Sequence, residues 1–259
     1  MSVLFNDLIY SDETYELLTG VLPASDKKTY ELHENTKMIG PKAFFNKAKL
    51  ETLKLPENVK IIKAQAFAFC ISLKEIEFNE GLETIGARAF SHCTSLDKIN
   101  LPNTLIAINQ SAFSLVPIEK LTLPESLFYM EDEAFMYCPI KELEFSCSCD
   151  VIPSKCFYQS KIETLDLSSS KVSTIGPLAF AGCVNLRKVI LSNCIKVIDK
   201  TTFEDCDVKE FSMRTSSIAK MIDLSKIDIV QQNLLNLLEA QKCTIKQMNE
   251  IMLGQNENN

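Results

Sequence analysis

Several features that mark other protein classes are scarce or absent in this chain of 259 residues. No apolar run approaches the roughly 18 residues that a membrane-spanning helix needs. The first ten residues contain no basic segment and only a short apolar stretch, so a cleaved signal peptide is not expected. Only 7 glycines and 9 prolines occur, which is few for an all-β sandwich. The 34 acidic residues outnumber the 27 basic ones, which argues against nucleic acid or an anionic membrane as the main partner.

Residues that would support catalysis are also few. The chain has two histidines, and only His92 adjoins a nucleophile, Cys93, although neighbouring residues usually point apart. No cysteine is followed six positions later by arginine, and no glycine-rich phosphate-binding loop occurs. Acidic pairs such as Glu75 and Glu77 lie on predicted strands, where solvated carboxylates are ordinary. The sequence therefore predicts a protein that is not an enzyme, with no catalytic residue and no cofactor.

The chain does contain an internal repeat of 22 or 23 residues, marked by a phenylalanine. The eight phenylalanines are Phe44, Phe67, Phe90, Phe113, Phe135, Phe157, Phe180 and Phe203. Five positions before each lies an apolar residue: Ile39, Ile62, Ile85, Ile108, Met130, Ile152, Ile175 and Ile198. After each phenylalanine comes a block of the form L-x-x-L-x-L, from LETLKL at 50–55 to VKEFSM at 208–213. Chance does not produce such a register, so the repeat is the guide to the fold.

The last part of each block alternates apolar and polar residues, which is the pattern of a half-buried strand. One repeat supplies one short strand and one apolar corner, and it cannot bury both by itself. Stacked repeats bury a continuous core, so the pattern predicts a solenoid with a parallel sheet along one face. Adjacent strands of that sheet are expected to lie about 4.8 Å apart.

The repeat resembles the leucine-rich repeats of the BspA-like type (type 5), whose pattern is L-x-x-L-x-L-P followed by I-G-x-x-A-F-x-x-C. Residues 73–93 match this pattern almost position for position, and the resemblance covers eight repeats over 37–215. The pattern departs at Cys156, which replaces alanine, at Thr202, and at 146–153, which lacks the usual spacer. The resemblance implies a leucine-rich-repeat solenoid. BspA-like proteins of bacteria and parasitic protists are associated with host-protein binding and cell surfaces.

The two ends of the chain differ from the repeats. Residues 1–36 alternate and contain a turn signal at Asp12–Glu13, which predicts an N-terminal β-hairpin cap and an incomplete first repeat. Residues 216–253 carry an apolar stripe in three- and four-residue steps, which predicts a C-terminal helical cap. The alternative for this stripe, at 227–252, is an exposed helix that associates with a partner or with a second copy. Residues 254–259 are predicted to be a disordered tail.

Five of the ten cysteines form a column, because each lies three residues after a repeat phenylalanine. They are Cys70, Cys93, Cys138, Cys183 and Cys206. They are expected to be buried free thiols. Unpaired thiols in such number favour a reducing compartment, so a cytoplasmic location is predicted. Cys147, Cys149 and Cys156 could be metal ligands, but zinc normally takes four ligands and no fourth is evident, so no metal site is predicted.

A protein partner is predicted to bind along the solenoid strand face, where outward residues vary while inward ones are fixed. The candidate residues are Thr52, Lys54, Glu75, Glu77, Lys98, Asn100, Lys120, Thr122, Glu142, Glu144, Thr164, Asp166, Lys188, Ile190, Glu210 and Ser212. None of them is tryptophan, tyrosine or arginine, the types that dominate binding hot spots, so a solvated face without a ligand stays open. Phe128, Tyr129, Tyr137 and Tyr158 are a second candidate on the corner side, either as an exposed patch or as residues packed between coils.

Two functions follow from these observations. The first is a non-enzymatic protein-interaction scaffold inside the cell, favoured by the thiols and by the missing signal. The second is a surface antigen or adhesin that binds host or matrix proteins, which the family resemblance implies and which would require non-classical export. The sequence does not name the partner in either case.

Overall fold

The computed structural model describes residues 1–213 and 222–223, which form a solenoid of about nine turns with parallel strands. Most repeats contribute two short strands, so two rows of strands run along the solenoid. One row lies in the L-x-x-L-x-L blocks, and its outward side is the predicted face. The other row consists of two-residue strands that end at the repeat isoleucine or methionine, and its outward side is the isoleucine face.

The strands divide into a cap and these two rows. The N-terminal cap consists of β1 (Val3–Phe5), β2 (Leu8–Tyr10) and β3 (Leu17–Val21). The isoleucine face is built from β4 (Met38–Ile39), β6 (Ile61–Ile62), β8 (Thr84–Ile85), β9 (Ala107–Ile108), β11 (Tyr129–Met130), β13 (Val151–Ile152), β15 (Thr174–Ile175) and β17 (Val197–Ile198). The predicted face is built from β5 (Thr52–Lys54), β7 (Glu75–Glu77), β10 (Lys120–Leu123), β12 (Glu142–Phe145), β14 (Thr164–Asp166), β16 (Lys188–Leu191) and β18 (Glu210–Met213). The last strand is β19 (Ile222–Asp223).

Neither row is one continuous sheet. On the isoleucine face, β1-β2-β3-β4-β6-β8-β9-β11 form one sheet and β13-β15-β17 form a second. On the predicted face there are three sheets, β5-β7, β10-β12 and β14-β16-β18-β19. The expectation of strands along a single face is therefore wrong. The second row was missed because two-residue strands are too short to show a period of two.

The N-terminal cap is an antiparallel unit that continues into the solenoid. β1 pairs with β2 and β2 with β3 in antiparallel fashion, whereas β3 pairs with β4 in parallel. Asn6 and Asp7 join β1 to β2 with φ of 50° and 70°, a left-handed conformation that these residue types tolerate and that two-residue hairpin turns require. The predicted turn at Asp12–Glu13 lies between β2 and β3, where the amide of Thr14 donates to Asp12 Oδ1 at 2.9 Å.

The core is a stack of the eight repeat phenylalanines. Each ring is at most 1% exposed, and neighbouring rings lie 5.0–5.8 Å apart with interplanar angles of 1–14°. Tyr30 packs edge-on against Phe44 at one end, and Phe211 packs edge-on against Phe203 at the other. Burying a phenylalanine contributes about 1.5–3 kcal/mol, so this stack is a main source of stability for both faces.

The C-terminal helical cap expected from the sequence is wrong for the part of the chain that the structure describes. Residues 1–213 and 222–223 contain no helix, and within the expected helical segment the chain forms β19. β19 pairs antiparallel with β18, with Glu210 opposite Asp223 and Phe211 opposite Ile222. These backbone bonds cover the outer edge of β18. The apolar stripe at 227–252 lies outside the described residues.

Candidate protein-binding faces

The candidate residues of the predicted face project outward wherever the apolar-polar alternation is regular. On β5, for instance, Thr52 and Lys54 are exposed while Leu53 between them is buried. The same arrangement holds in every repeat through β14, except that Leu143 on β12 is half-buried. It weakens at the C-terminal end, where Lys188, Ile190 and Glu210 are half-buried. Ser212 is buried, so it is not accessible to a partner.

Polar contacts between neighbouring repeats engage about half of the candidate residues. Three ion pairs cross from one strand to the next: Lys54–Glu77 at 2.7 Å, Lys120–Glu142 at 2.9 Å and Lys188–Glu210 at 2.9 Å. Thr122 Oγ1 donates to Glu144 Oε2 at 3.0 Å. Exposed pairs of this kind contribute about 0–1 kcal/mol each, so they align side chains more than they stabilise the fold.

The exposed polar candidates without such contacts are spread along the predicted face, and two of them lie together in the third repeat. Within the described residues, no hydrogen bond or ion pair is formed by the side chains of Thr52, Glu75, Lys98, Asn100 and Thr164. The block at 96–101 forms no strand, and no backbone hydrogen bond joins it to β7 or β10 within residues 1–213. This interruption coincides with a shorter connection in the next repeat, where the block begins five residues after the phenylalanine instead of six.

A groove of about 890 Å³ opens at this interruption, between the third and fourth repeats. Its walls are residues 97–101 and Asn103 on one side, and Pro117, Glu119, Lys120, Thr122 and Pro124 on the other. Lys98 and Asn100 are exposed on this wall with their polar groups uncommitted. The groove therefore combines a concave shape with free hydrogen-bonding groups. A smaller groove of about 380 Å³ lies over β10, β12 and β14, but it is lined by the bonded pairs Lys120–Glu142 and Thr122–Glu144.

The isoleucine face carries a cluster of exposed apolar side chains that the sequence analysis assigned only in part. Phe128 is 64% exposed, Tyr129 51%, Ile106 47% and Val151 40%. We name these four residues the Phe128 patch. The sequence singled out Phe128 and Tyr129 and missed Ile106 and Val151. The signal that could have indicated the patch is an apolar residue one or two positions before the repeat isoleucine or methionine, as at Ile106 and Val151.

The other two tyrosines of the second candidate lie elsewhere. Tyr137 and Tyr158 follow the repeat phenylalanines and pack edge-to-face with ring centroids 5.5 Å apart. The four aromatics therefore do not form one patch, because Phe128 and Tyr129 belong to the isoleucine face. Tyr137 is 39% exposed and has a positive φ of 63°, as do other turn residues two positions after the repeat phenylalanine.

The cysteine column is part of the hydrogen-bonded interior. Each thiol donates to the carbonyl oxygen of the phenylalanine in the preceding repeat, at 3.0–3.4 Å. Burial raises the pKa of Cys70 and of Cys138 to about 12, since a thiolate would lose its hydration there. Four of the five cysteines are buried, and Cys206 is half-buried.

His92 and Cys93, the catalytic pair considered from the sequence, bond to different partners. Cys93 donates to Phe67 O, while His92 Nδ1 lies 2.9 Å from Ser91 Oγ and its ring stacks on Phe69. Burial raises the pKa of Cys93, which makes its thiol a poor nucleophile. In residues 1–213 and 222–223 no three histidines, cysteines or carboxylates lie where they could hold one metal ion. The same part of the chain contains no helix of the length and apolarity needed to cross a membrane.

Comparison with solved structures supports the solenoid fold. A leucine-rich repeat protein from Bacteroides ovatus is similar, with a TM-score of 0.71 and 23% identity over 80% of this chain. This chain spans only 57% of the length of the Bacteroides protein. A leucine-rich repeat protein from T. pallidum (TpLRR) has a TM-score of 0.56 and 23% identity, covering 76% of this chain and 81% of its own. At this level of identity the likeness concerns the fold alone.

Comparison with protein families is more specific. No curated protein matches the chain. The model of the BspA type leucine-rich repeat region, in six copies, matches residues 37–162 and 107–225, which is more than half of the chain. Proteins of this family generally serve in protein interaction or as surface antigens. The chain therefore belongs to the BspA-type leucine-rich-repeat family.

Proposed function

We propose that this protein is a non-enzymatic scaffold that binds a protein partner along the predicted face, centred on the groove between the third and fourth repeats. The observation that carries the proposal is the coincidence of the groove with uncommitted polar groups. Elsewhere on the face, three lysine–glutamate pairs cross the repeats, and among the described residues Glu75 is the one exposed charged candidate of the second repeat that stays unpaired. At the groove, Lys98 and Asn100 are free to form hydrogen bonds with a partner.

The charges of the predicted face indicate what kind of partner fits. Four lysines and six carboxylates occupy its candidate positions, so the long-range field is weak and association is expected to depend little on salt. Specificity must then come from short-range contacts. Lys98 provides a cation for a carboxylate of the partner, and Asn100 provides both a donor and an acceptor. Lys120, on the opposite wall, is already paired with Glu142.

Site-specific photo-crosslinking tests this proposal. p-Benzoylphenylalanine is placed at Asn100 in the groove and, as a control, at the exposed Lys63 next to the isoleucine face. After irradiation in an extract of the source cells, the Asn100 variant is expected to yield a discrete protein adduct, identified by mass spectrometry, that the Lys63 variant does not yield. Adducts from Lys63 alone, or equal adducts from both positions, would contradict binding at the groove.

The affinity of the identified partner then tests the role of Lys98. Lys98→Glu reverses the free cation of the groove and is expected to weaken binding at least tenfold in biolayer interferometry. Lys63→Glu changes the net charge of the chain by the same amount at a distant site and is expected to alter binding less than twofold. Equal losses in the two variants would mean that net charge, and not the groove, governs the interaction.

A surface antigen or adhesin is the second candidate function, and family membership favours it. The buried unpaired thiols favour the cytoplasm. Labelling intact source cells with a membrane-impermeant biotin reagent distinguishes the two locations, with a cytosolic protein as the control. Labelling of this protein without the control supports the surface role, and host matrix proteins are then the ligands to screen. Protection until lysis contradicts the surface role.

A further inference from the structure

The hydrogen bonding of the isoleucine face is interrupted between β11 and β13. Between β9 and β11, the amides of Phe128 and Tyr129 donate to Ile106 O at 3.0 and 3.1 Å, and the amide of Glu131 donates to Ile108 O at 3.0 Å. Between β13 and β15, the amide of Gly176 donates to Ile152 O at 2.8 Å. Between β11 and β13, within residues 1–213, no backbone amide donates to the carbonyl oxygens of Phe128 and Met130.

Two features of the sequence cause this interruption. Pro153 stands where the neighbouring repeats have Glu131 and Gly176, and proline has no N–H to donate to Met130 O. The irregular segment at 146–149 bonds to the residue before Phe128 instead of to Phe128 itself, because the amide of Ser148 donates to Leu127 O at 3.0 Å. The two carbonyl oxygens thus border a groove of about 540 Å³ instead of ending in a sheet.

The groove lies beside the Phe128 patch and is acidic. Phe128, Tyr129 and Val151 of the patch line it together with the carboxylates of Glu131, Asp132 and Asp150, and no lysine, arginine or histidine lines it. Glu131 and Asp132 each accept one backbone hydrogen bond, from Gln110 at 2.7 Å and Ser154 at 3.0 Å. The three carboxylates and the two carbonyl oxygens accept hydrogen bonds, while Gln110, Tyr129 and the amides of Asp150 and Val151 can donate them. The charged groups of the groove are all negative, so it favours a ligand that carries positive charge.

From these observations we propose that the Phe128 patch and its groove are a second docking surface, distinct from the predicted face, for an extended peptide segment of a protein partner that carries basic and apolar side chains. Phe128 and Tyr129 offer ring faces on which a guanidinium or an ammonium group packs, and Ile106 and Val151 offer apolar contact. Asp150 is exposed and pairs with the cation. Ile106, Phe128 and Val151 lie in three successive repeats, so the patch runs along the solenoid and can be followed by an extended chain.

Peptide binding in solution tests the proposal directly. The probe is a fluorescein-labelled octapeptide that alternates arginine and valine, and its binding to the full chain is measured by fluorescence anisotropy at 0.15 M salt. An octapeptide that alternates glutamate and valine and an octamer of arginine are the comparison probes. The arginine-valine peptide is expected to bind at least tenfold more tightly than either. Absence of binding at 1 mM protein, or equal binding of the arginine octamer, would overturn the proposal.

Matched variants locate the site. Phe128→Ser is expected to weaken binding of the arginine-valine peptide at least tenfold, and Asp150→Asn about threefold. The controls are Val184→Ser, which removes another highly exposed apolar side chain (61%), and Glu13→Gln, which removes another exposed carboxylate. Both controls are expected to change binding less than twofold. Equal effects of the control and patch variants would overturn the assignment of the peptide to this surface.

An exposed apolar patch could also bind a second copy of this chain. Light scattering coupled to size-exclusion chromatography decides between the two. The protein is expected to remain monomeric at concentrations where the peptide binds. A dimer that Phe128→Ser dissociates would overturn the peptide proposal and identify the patch as a self-association surface. Thermal unfolding of each variant establishes that the exposed substitutions leave the fold intact.

Discussion

The two faces of the solenoid rest on the same phenylalanine stack but expose different chemistry. The predicted face presents lysine–glutamate pairs that cross from one repeat to the next, whereas the isoleucine face presents exposed aromatic and aliphatic side chains at its centre. Both faces are interrupted in the middle of the repeat array, and each interruption opens a groove. The comparison teaches that the buried residues of a repeat specify the stack, while its outward residues and irregular connections specify where a partner can bind.

The largest expected effect comes from breaking the stack that supports both faces. Phe113→Ala removes a fully buried ring between Phe90 and Phe135 and is expected to lower the free energy of unfolding by about 3–5 kcal/mol. Urea denaturation followed by circular dichroism measures the change. Phe128→Ala is the matched control, because its ring is exposed and its loss should cost less than about 0.5 kcal/mol. Similar losses for the two variants would contradict the stacked core.

The buried thiols are expected to make the free energy of unfolding depend on pH, which tests whether they are buried. Because the folded-state pKa of Cys70 and Cys138 is raised to about 12, these thiols keep their protons at a pH where unfolded thiols ionise. Their contribution to stability is complete below the unfolded pKa, near 9, and is lost progressively as the pH rises toward 12. Between pH 7 and pH 10 each thiol is expected to lower the free energy of unfolding by about 1 kcal/mol.

Urea denaturation in the presence of a reductant measures this loss. Cys138→Ala is expected to reduce the pH dependence, and replacement of the exposed Cys194 is expected to leave it unchanged. In the same buffer, an alkylating reagent should modify Cys194 in the folded protein well before Cys138. Rapid modification of Cys138 would show that its thiol is accessible and would refute the hydrogen bond to Phe113 O.

Substitution of a turn residue between the two faces is expected to give a smaller change, a gain in stability. Leu115 is 39% exposed and has φ of 63°, a conformation that asparagine tolerates better than leucine. Leu115→Asn is expected to raise the free energy of unfolding by about 0.5 kcal/mol. Leu115→Val is the opposite test, since a β-branched residue at positive φ should destabilise the fold. If both substitutions destabilise the protein equally, the side chain of Leu115 contributes packing that outweighs its backbone strain.

The smallest effect is expected on the predicted face itself. A double-mutant cycle with Lys54→Ala and Glu77→Ala is expected to give a coupling free energy of about 0.2–1 kcal/mol. The coupling should fall further at 1 M salt, where charges a few ångströms apart are screened. A coupling above about 2 kcal/mol would mean that the ion pairs hold the repeats together. The comparison of the two faces would then have to be revised.

The sequence supported some predictions much better than others. The alternation of the blocks, as at Thr52, Leu53 and Lys54, placed outward and inward residues as the structure has them through β14. The second row of strands could not be read from two residues per repeat. The helical cap was inferred from an apolar stripe, and β19 was missed because a two-residue strand is recognised only by its pairing with β18. The domain boundaries near 36 and 215 stay predictions.

The sequence by itself determined the repeat length, the buried phenylalanine column, the cysteine column and the outward residues of the first six repeats, because periodic spacing along a chain is a local property. Only the tertiary structure decided which repeats pair as sheets, where the grooves open and which lysine meets which glutamate. Those features depend on hydrogen bonds between residues more than 20 positions apart, and one proline or one missing residue in a connection changes them. The repeat pattern therefore specified the scaffold, and the contacts between its repeats specified its surfaces.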